Sequence, residues 1–320
     1  KRLLAATTAA FALAFTSFAQ AQNWPVKPIR VIVPSGAGGA YDVVLRAMQG
    51  AIAEDLGQPL VIENNTGGGG IVGLQLGARA APDGYLLTQA GVSQLVLNPL
   101  FADVPYNVQK DFVPIGMIGS LVMALYVHNS VPATTLKDFI DWAKAKPNGI
   151  TIGSPGPGTT PHLSGVLFAA RTGVQAVHVP FKGASETIPA MLAGDVNFAV
   201  DNLASYVSQI ESGNMRALAV TSASRWPTLP NVPTMGEAGV KDFVVTSWAA
   251  YVLPKGTPRA VIDKINAAHK EIAADDATQK RFLAAGGRLL YSTPEEASAF
   301  AAKERTLWQE IIKLSGLQPQ

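Results

Sequence analysis

The sequence contains no cysteine among its 320 residues, so disulfides, thiol chemistry and cysteine metal sites are excluded. Histidine is scarce. His128, His162, His178 and His269 are scattered, without the short spacings that mark a metal site. There is no Gly-x-x-x-x-Gly-Lys-Ser/Thr loop and no Gly-x-Ser-x-Gly elbow; Ser154 lies in Gly153-Ser154-Pro155-Gly156, which is a different turn. No run of Lys or Arg appears, so nucleic acid is not an expected partner. Neither a cofactor nor a metal is expected, and the catalytic inventory is poor. Beyond the first twenty residues no run is apolar for long enough to span a bilayer.

What is present begins with an export leader. Lys1-Arg2 precede an uncharged, mostly apolar stretch from Leu3 to Phe18, and Ala19-Gln20-Ala21 supplies a small-x-small cleavage site. Residues 1–21 are therefore expected to be removed, and the mature protein to act in the periplasm. The whole chain has 25 basic and 23 acidic residues; without Lys1 and Arg2, and with no acid lost, the balance is 23 against 23. About 300 mature residues suit two domains rather than one small core.

Strand-like and helix-like segments alternate along the mature chain, which predicts an α/β fold with mostly parallel sheets flanked by helices. Strands are expected at 29–33, 60–63, 85–89, 123–128, 176–179, 197–200, 217–220 and 248–253. Helices are expected at 42–56, 71–80, 135–144, 163–170, 186–192, 258–275 and 294–315. Pro227-Thr228-Leu229-Pro230-Asn231-Val232-Pro233 is too rich in proline for regular structure and reads as an extended surface link. The expected division is a discontinuous first domain, 22–123 plus 246–320, with a second domain at 124–245. Two crossings between them would form a hinge.

Two glycine-rich turns stand between a strand and a helix. The first, Ser35-Gly36-Ala37-Gly38-Gly39, leads into Ala40-Tyr41-Asp42; the second runs from Ser154 through Gly158 to Thr159-Thr160-Pro161-His162. Bare backbone at a helix N-terminus offers unpaired N–H groups and the positive end of the helix dipole, which favours an anion. Any α/β turn also likes glycine, and Asp42 complements the dipole whatever the function. Gly68-x-Gly70-x-x-Gly73 matches a dinucleotide fingerprint, but Asn64-Asn65-Thr66 separates it from its strand and no acidic residue follows to take a ribose. A close-packed or flexible loop is the reading preferred there.

These turns, with further motifs in order, resemble the extracytoplasmic receptors of tripartite tricarboxylate transporters, the Bug family. The likeness is carried by Val33-Pro34-x-x-x-Gly38-Gly39-x-x-Asp42, Gly57-Gln58-Pro59-Leu60-Val61-Ile62-Glu63-Asn64 and Ala80-Ala81-Pro82-Asp83-Gly84-Tyr85. It continues through Asn98-Pro99, Lys110-Asp111-Phe112-x-Pro114-Ile115 and Val179-Pro180-Phe181-Lys182-Gly183. It ends with Arg216-Ala217-Leu218-Ala219-Val220-Thr221 and Leu229-Pro230-Asn231-Val232-Pro233-Thr234-x-x-Glu237-Ala238-Gly239. It covers essentially the whole mature chain.

The resemblance implies a two-domain periplasmic binding protein of the Venus-flytrap, type II-like kind, a monomer that closes on a small organic carboxylate and delivers it to integral membrane transporter subunits. Family ligands include di- and tricarboxylates, acidic amino acids and aromatic carboxylates. Carried over, the binding residues are Gly38, Gly39, Ala40, Tyr41 and Asp42 from the first turn. Ser154, Gly156, Gly158, Thr159, Thr160 and His162 come from the second, and Asp201 borders the cleft. Ser35, Tyr41 and Gln89-Ala90-Gly91 depart from frequent family residues at positions that could line it. A secreted enzyme acting on a small organic acid, or a sensor subunit that presents its ligand to a membrane protein, are the alternatives.

Overall fold

The computed structural model describes residues 24–315. The expected leader and its cleavage site lie outside the described residues. Two sheets organise the chain. The first has six strands in the order β11-β4-β10-β3-β1-β2, and the second five in the order β7-β6-β8-β5-β9. The first sheet uses β1 (Ile29–Val33), β2 (Leu60–Asn64), β3 (Leu86–Gly91), β4 (Phe112–Leu121), β10 (Ser247–Pro254) and β11 (Gly287–Leu289). The second uses β5 (Met123–His128), β6 (Ile150–Ser154), β7 (Ala176–Pro180), β8 (Phe198–Asn202) and β9 (Met215–Val220).

The sheets are mixed rather than mostly parallel. β1 pairs parallel with β2 and β3, and β6 with β7 and β8, whereas β4, β10 and β11 pair antiparallel, as do β5 with β8 and β9. The reason is the crossing. β4 and β5 form one run broken only at Val122, and it carries the chain from the first sheet to the second. β10 brings the chain back beside β4, with Ser247 opposite Leu121 and Pro254 opposite Phe112. A strand that returns beside the one that left must run against it. Thr221 ties the two crossings together: its N–H donates to Met123 O, and Val245 N–H donates to its carbonyl.

Helical periodicity explains the principal helix, α1 (Ala40–Leu56). Val44, Leu45, Met48, Ile52 and Leu56 are all buried, in a core shared with Val31, Ile265 and Phe282. It starts two residues before the expected Asp42. The helices α2 (Ile71–Ala78), α5 (Leu136–Lys144), α6 (Thr160–Thr172), α7 (Ala184–Ala193) and α9 (Arg259–Ala274) fall close to the expected segments, as does α11 (Pro294–Ser315). Among the described residues four α-helices were not foreseen, α3 (Asn98–Phe101), α4 (Val108–Asp111), α8 (Leu203–Glu211) and α10 (Asp276–Ala284), nor was the π-helical turn Ser93–Leu97 that leads into α3. Strands β4 and β11 were not foreseen either. β4 carries Pro114, Gly116 and Gly119, which hide its strand character in the sequence.

A second apolar core joins the sheets directly. Leu74, Met117 and Trp248 belong to the same packed cluster as Phe139, Phe168 and Phe198. The Gly68–Gly73 stretch is close-packed, one of the two alternatives preferred to a dinucleotide loop. It forms a short 3-10 turn, Gly67–Gly70, running straight into α2. At Gly69 φ is +63°, and a Cβ there would meet Thr159 Cγ2 and Pro157 O of the second glycine turn, so this loop abuts the opposite side of the cleft. Among the described residues no helix is long and apolar enough to cross a membrane.

Candidate functional site

A cleft lies between the sheets where the first turn meets the ends of β7 and β8. Of the residues expected there, Gly39, Ala40, Tyr41, Thr159 and Asp201 line it. Gly38, Asp42, Ser154, Gly156, Gly158, Thr160 and His162 are not in its lining. Ser35, flagged in the sequence as a departure, does line it, but Gln89, Ala90 and Gly91 do not.

The residues set aside have structural employment. Asp42 is buried and holds its own loop. Its carboxylate accepts from Gly38 N–H at 2.9 Å, from Arg46 Nε at 3.0 Å and from Asn64 Nδ2 at 3.0 Å. Burial pushes its pKa up, but these hydrogen bonds outweigh that and hold it below the ordinary value. The second turn closes on itself. Gly156 N–H donates to Ser154 Oγ, Gly158 N–H to His162 Nδ1, Thr159 N–H to Gly156 O and His162 N–H to Thr159 Oγ1. Thr160 N–H donates across the cleft to Ser93 Oγ at 3.1 Å, and Pro161 has no N–H to give. The start of α6 thus has no free donor left for an anion through Leu163, whose N–H takes Thr159 O.

His162 packs its ring 4.0 Å from that of His178, and burial together with His178 pushes its pKa down to about 4. It is a neutral bracket for the loop, beside a separate hollow with Gly158, Asn98 and Phe101. His178 Nε2 lies 2.7 Å from Ser154 Oγ, but Ser154 is fully buried and neither residue lines the cleft. Among the described residues no group of three or more His, Cys, Asp or Glu is placed to hold a metal ion.

The first turn behaves differently. α1 has no side-chain cap, and the N–H groups of Ala40 and Tyr41 take no partner among the described residues. Opposite stands a second uncapped helix start that was not expected as a site. α7 follows Gly183, Ala184 N–H takes no partner among the described residues, and Lys182, Gly183 and Ala184 all line the cleft. Two helix N-termini therefore converge on one space, with the exposed Lys182 at its margin. Tyr41 forms part of the wall. Its hydroxyl donates to Trp248 O at 3.2 Å, and burial pushes its pKa well up, so it stays neutral.

The floor on the side of the second sheet is acidic. Asp201 is 2% exposed; its Oδ1 accepts from Asn202 N–H at 2.7 Å, and Oδ2 has no partner. Burial pushes its pKa up to about 7. Behind it the rings of Tyr126 and Tyr206 stack at 4.2 Å. Asn202 Oδ1 and Ser35 Oγ are likewise without partners. Thr66 after β2, Ser93 and Gln94 after β3, Ser205 in α8 and Ser247 at the start of β10 add to the polar lining.

A strand-end rule would have found most of the missed residues. Ser93, Lys182 and Asn202 follow or end strands that run toward the cleft, where α/β sheets gather ligands. Ser247 escapes that rule, because β10 runs antiparallel and reaches the cleft by its beginning.

Two α/β lobes around a polar cleft, joined by paired crossings, define the solute-binding class of periplasmic binding proteins. Residues 44–317 match the tripartite tricarboxylate transporter family receptor, and the chain belongs to that family. Protein BugT of Bordetella pertussis (strain Tohama I) is 33% identical over 298 residues, covering 92% of this chain and 91% of BugT. An R. palustris protein solved with adipate superposes with a TM-score of 0.91 at 30% identity, covering 93% of this chain and 100% of that one. The structure of the periplasmic binding protein BugD gives 0.85 at 32% identity, with coverage of 93% and 100%. The chain is accordingly related to solute-binding receptors along nearly all of its length.

Proposed function

We propose that this protein is a periplasmic receptor that takes a small organic carboxylate into the cleft and presents it to the membrane subunits of a tripartite tricarboxylate-type transporter. The observation that carries this reading is the pair of uncapped helix starts, at Ala40 and Ala184, facing one polar space. N–H groups at such ends are anion donors, and charge-assisted hydrogen bonds contribute roughly 1.5–3 kcal/mol each. Adipate in the related R. palustris structure supports the carboxylate class. The expected leader supports export, with cleavage near Ala21. The lobes proposed are 22–123 plus 246–320 and 124–245, acting as a monomer that closes about Val122 and the residues before Ser247. The binding residues proposed are Gly39, Ala40, Tyr41, Thr159 and Asp201, joined by Lys182, Gly183 and Ala184.

Mass spectrometry of small molecules released from denatured protein tests this reading. An unchanged organic acid is the expected finding; a product formed on incubation would instead show an enzyme. Gly39→Val should weaken binding of the recovered acid at least tenfold, about 1.4 kcal/mol, as read by calorimetry. A Cβ at Gly39 would stand 2.9 Å from Gly36 O and 3.1 Å from Ser35 Oγ, so the turn must shift just where the donors lie. A folded Gly39→Val protein with parental affinity would refute the site.

Lys182→Ala should cost less than about tenfold, since an exposed ammonium is screened by solvent and salt. A loss of about a hundredfold, roughly 2.7 kcal/mol, would mean that a salt bridge carries recognition.

A further inference from the structure

The cleft has two chemically opposite walls. On the α1 and α7 side stand donors: Ala40, Tyr41 and Ala184 N–H, the unpartnered Ser35 hydroxyl, and Lys182. On the β8 side stand two acceptors with no donor at hydrogen-bonding distance among the described residues, Asp201 Oδ2 and Asn202 Oδ1, in side chains only 2% and 8% exposed, although the Tyr206 hydroxyl interacts with the Asp201 carboxyl. Asp201 and Asn202 both line the cleft. Neither the ionised Asp201 carboxylate nor the Asn202 amide oxygen can be satisfied by a carboxylate oxygen, because an acceptor cannot bond an acceptor; only the protonated form of Asp201 could donate. No salt bridge joins Asp201 to Lys182 or to any other cation among the described residues. Buried acceptors left unpaired are rare in native proteins, and where they face a ligand space the missing donor belongs to the ligand or to bound water.

Resting on the receptor reading above, we infer that the solute is a substituted acid: it carries a hydroxyl or ammonium donor beside its carboxylate, and Asp201 with Asn202 reads that donor. An acid without such a donor would leave both acceptors unpaired when the cleft closes. An ammonium would in addition place a positive charge next to a carboxylate that has none. Discrimination by a site built to pair a ligand donor is large, because the analogue lacking it strands buried polar groups. The donor is therefore the feature that selects among small acids of similar length.

Calorimetry on the full mature chain, freed of endogenous ligand by unfolding and refolding, tests this with three trios that each share a carbon skeleton. They are propionate, lactate and alanine; succinate, malate and aspartate; and glutarate, 2-hydroxyglutarate and glutamate. In the trio of the right length, a substituted member should bind at least about tenfold tighter than its unsubstituted partner. The hydroxyl and ammonium arms tell which donor is used. Asp201→Ala should bring the ratio within the trio toward one, and Asn202→Ala should lower it less. Both variants can be checked for folding by thermal melts, and Asp201→Ala relieves a buried, half-paired carboxyl.

If the unsubstituted acids bind as well as or better than their substituted partners, the inference is overturned while the receptor reading stands. The same holds if Asp201→Ala leaves the ratio unchanged. An affinity for unsubstituted diacids that rises with falling pH would show Asp201 acting as a protonated donor, and also overturns the inference. Binding by no acid in any trio would overturn the inference for acids of these lengths, and the receptor reading is then decided by the mass spectrum of released ligand.

Discussion

Gly91→Ala should destabilise the protein by about 3 kcal/mol and loosen ligand binding at the same time. Gly91 ends β3, directly opposite Ala249 of β10, and Tyr41 crosses over it. A Cβ at this position would come closer than 3.0 Å to both the Tyr41 hydroxyl and Trp248 O. The carbonyl belongs to a central strand paired on both sides and cannot retreat. The tyrosine must therefore move, losing its hydrogen bond to Trp248 O and leaving a buried hydroxyl unpaired. Overpacking of this kind typically costs about 1–3 kcal/mol, and a buried orphan polar group adds about 1–3 more. Because Tyr41 is a cleft wall, affinity should fall at least tenfold. Urea melts and calorimetry on the same preparation measure both effects. Tyr41→Phe is the control: it removes the hydrogen bond but keeps the ring, and should cost only about 1 kcal/mol. A Gly91→Ala protein within 0.5 kcal/mol of the parent, a margin typical of substitutions away from strained features, would show that the wall is more compliant than its geometry implies.

Asp201 should make the empty protein less stable as pH rises from about 4 to about 8. Its pKa is pushed up to about 7 in the fold, against an ordinary value of 3.8. The native carboxyl thus holds its proton more tightly than the unfolded one. Below pH 4 both states are protonated and there is no penalty. Between the two values only the unfolded chain ionises freely, so stability falls, and above the native value the loss levels off. Three units at 1.36 kcal/mol each put the loss on the order of 4 kcal/mol. Tyr126 and Tyr206, the nearest titratable neighbours, lose their protons only well above this range, through burial and the Asp201 charge. Asp201→Asn should remove the slope. Urea melts of parent and variant at pH 4.5, 6 and 7.5 measure it, because subtraction cancels every other titrating group. A difference that is the same at all three pH values would mean that water or relaxation satisfies the carboxyl in the folded state.

Much of the fold was legible in the sequence because local chemistry and periodicity agree there. Val44, Leu45, Met48, Ile52 and Leu56 repeat at helical spacing and are buried along one face of α1. Thr135 precedes α5 and caps it, accepting from Asp138 N–H at 3.1 Å. α8 and β4 were not legible. The first opens directly from β8 with no loop between them, and the second is interrupted by proline and glycine that only its neighbours β10 and β11 render compatible with a strand.

The site divides along the same line. The residues alone determined that two glycine turns precede helices, that export is expected, and that cysteine, nucleotide-loop and hydrolase-elbow chemistry are absent. Motif order alone pointed to the family that the chain belongs to. Only the tertiary structure decided which helix starts remain open. The two turns look alike as strings, yet Thr159, Pro161 and His162 use up or remove the donors of one, while Ala40 and Tyr41 keep theirs. It also decided that α7 supplies the opposing donors and that Asp201 and Asn202 meet them with unpaired acceptors. A hydrogen bond is a relation between groups distant in the chain, as Thr160 N–H is to Ser93 Oγ. Whether a polar group is spent or available is therefore fixed by what the fold brings beside it, not by the residue that carries it.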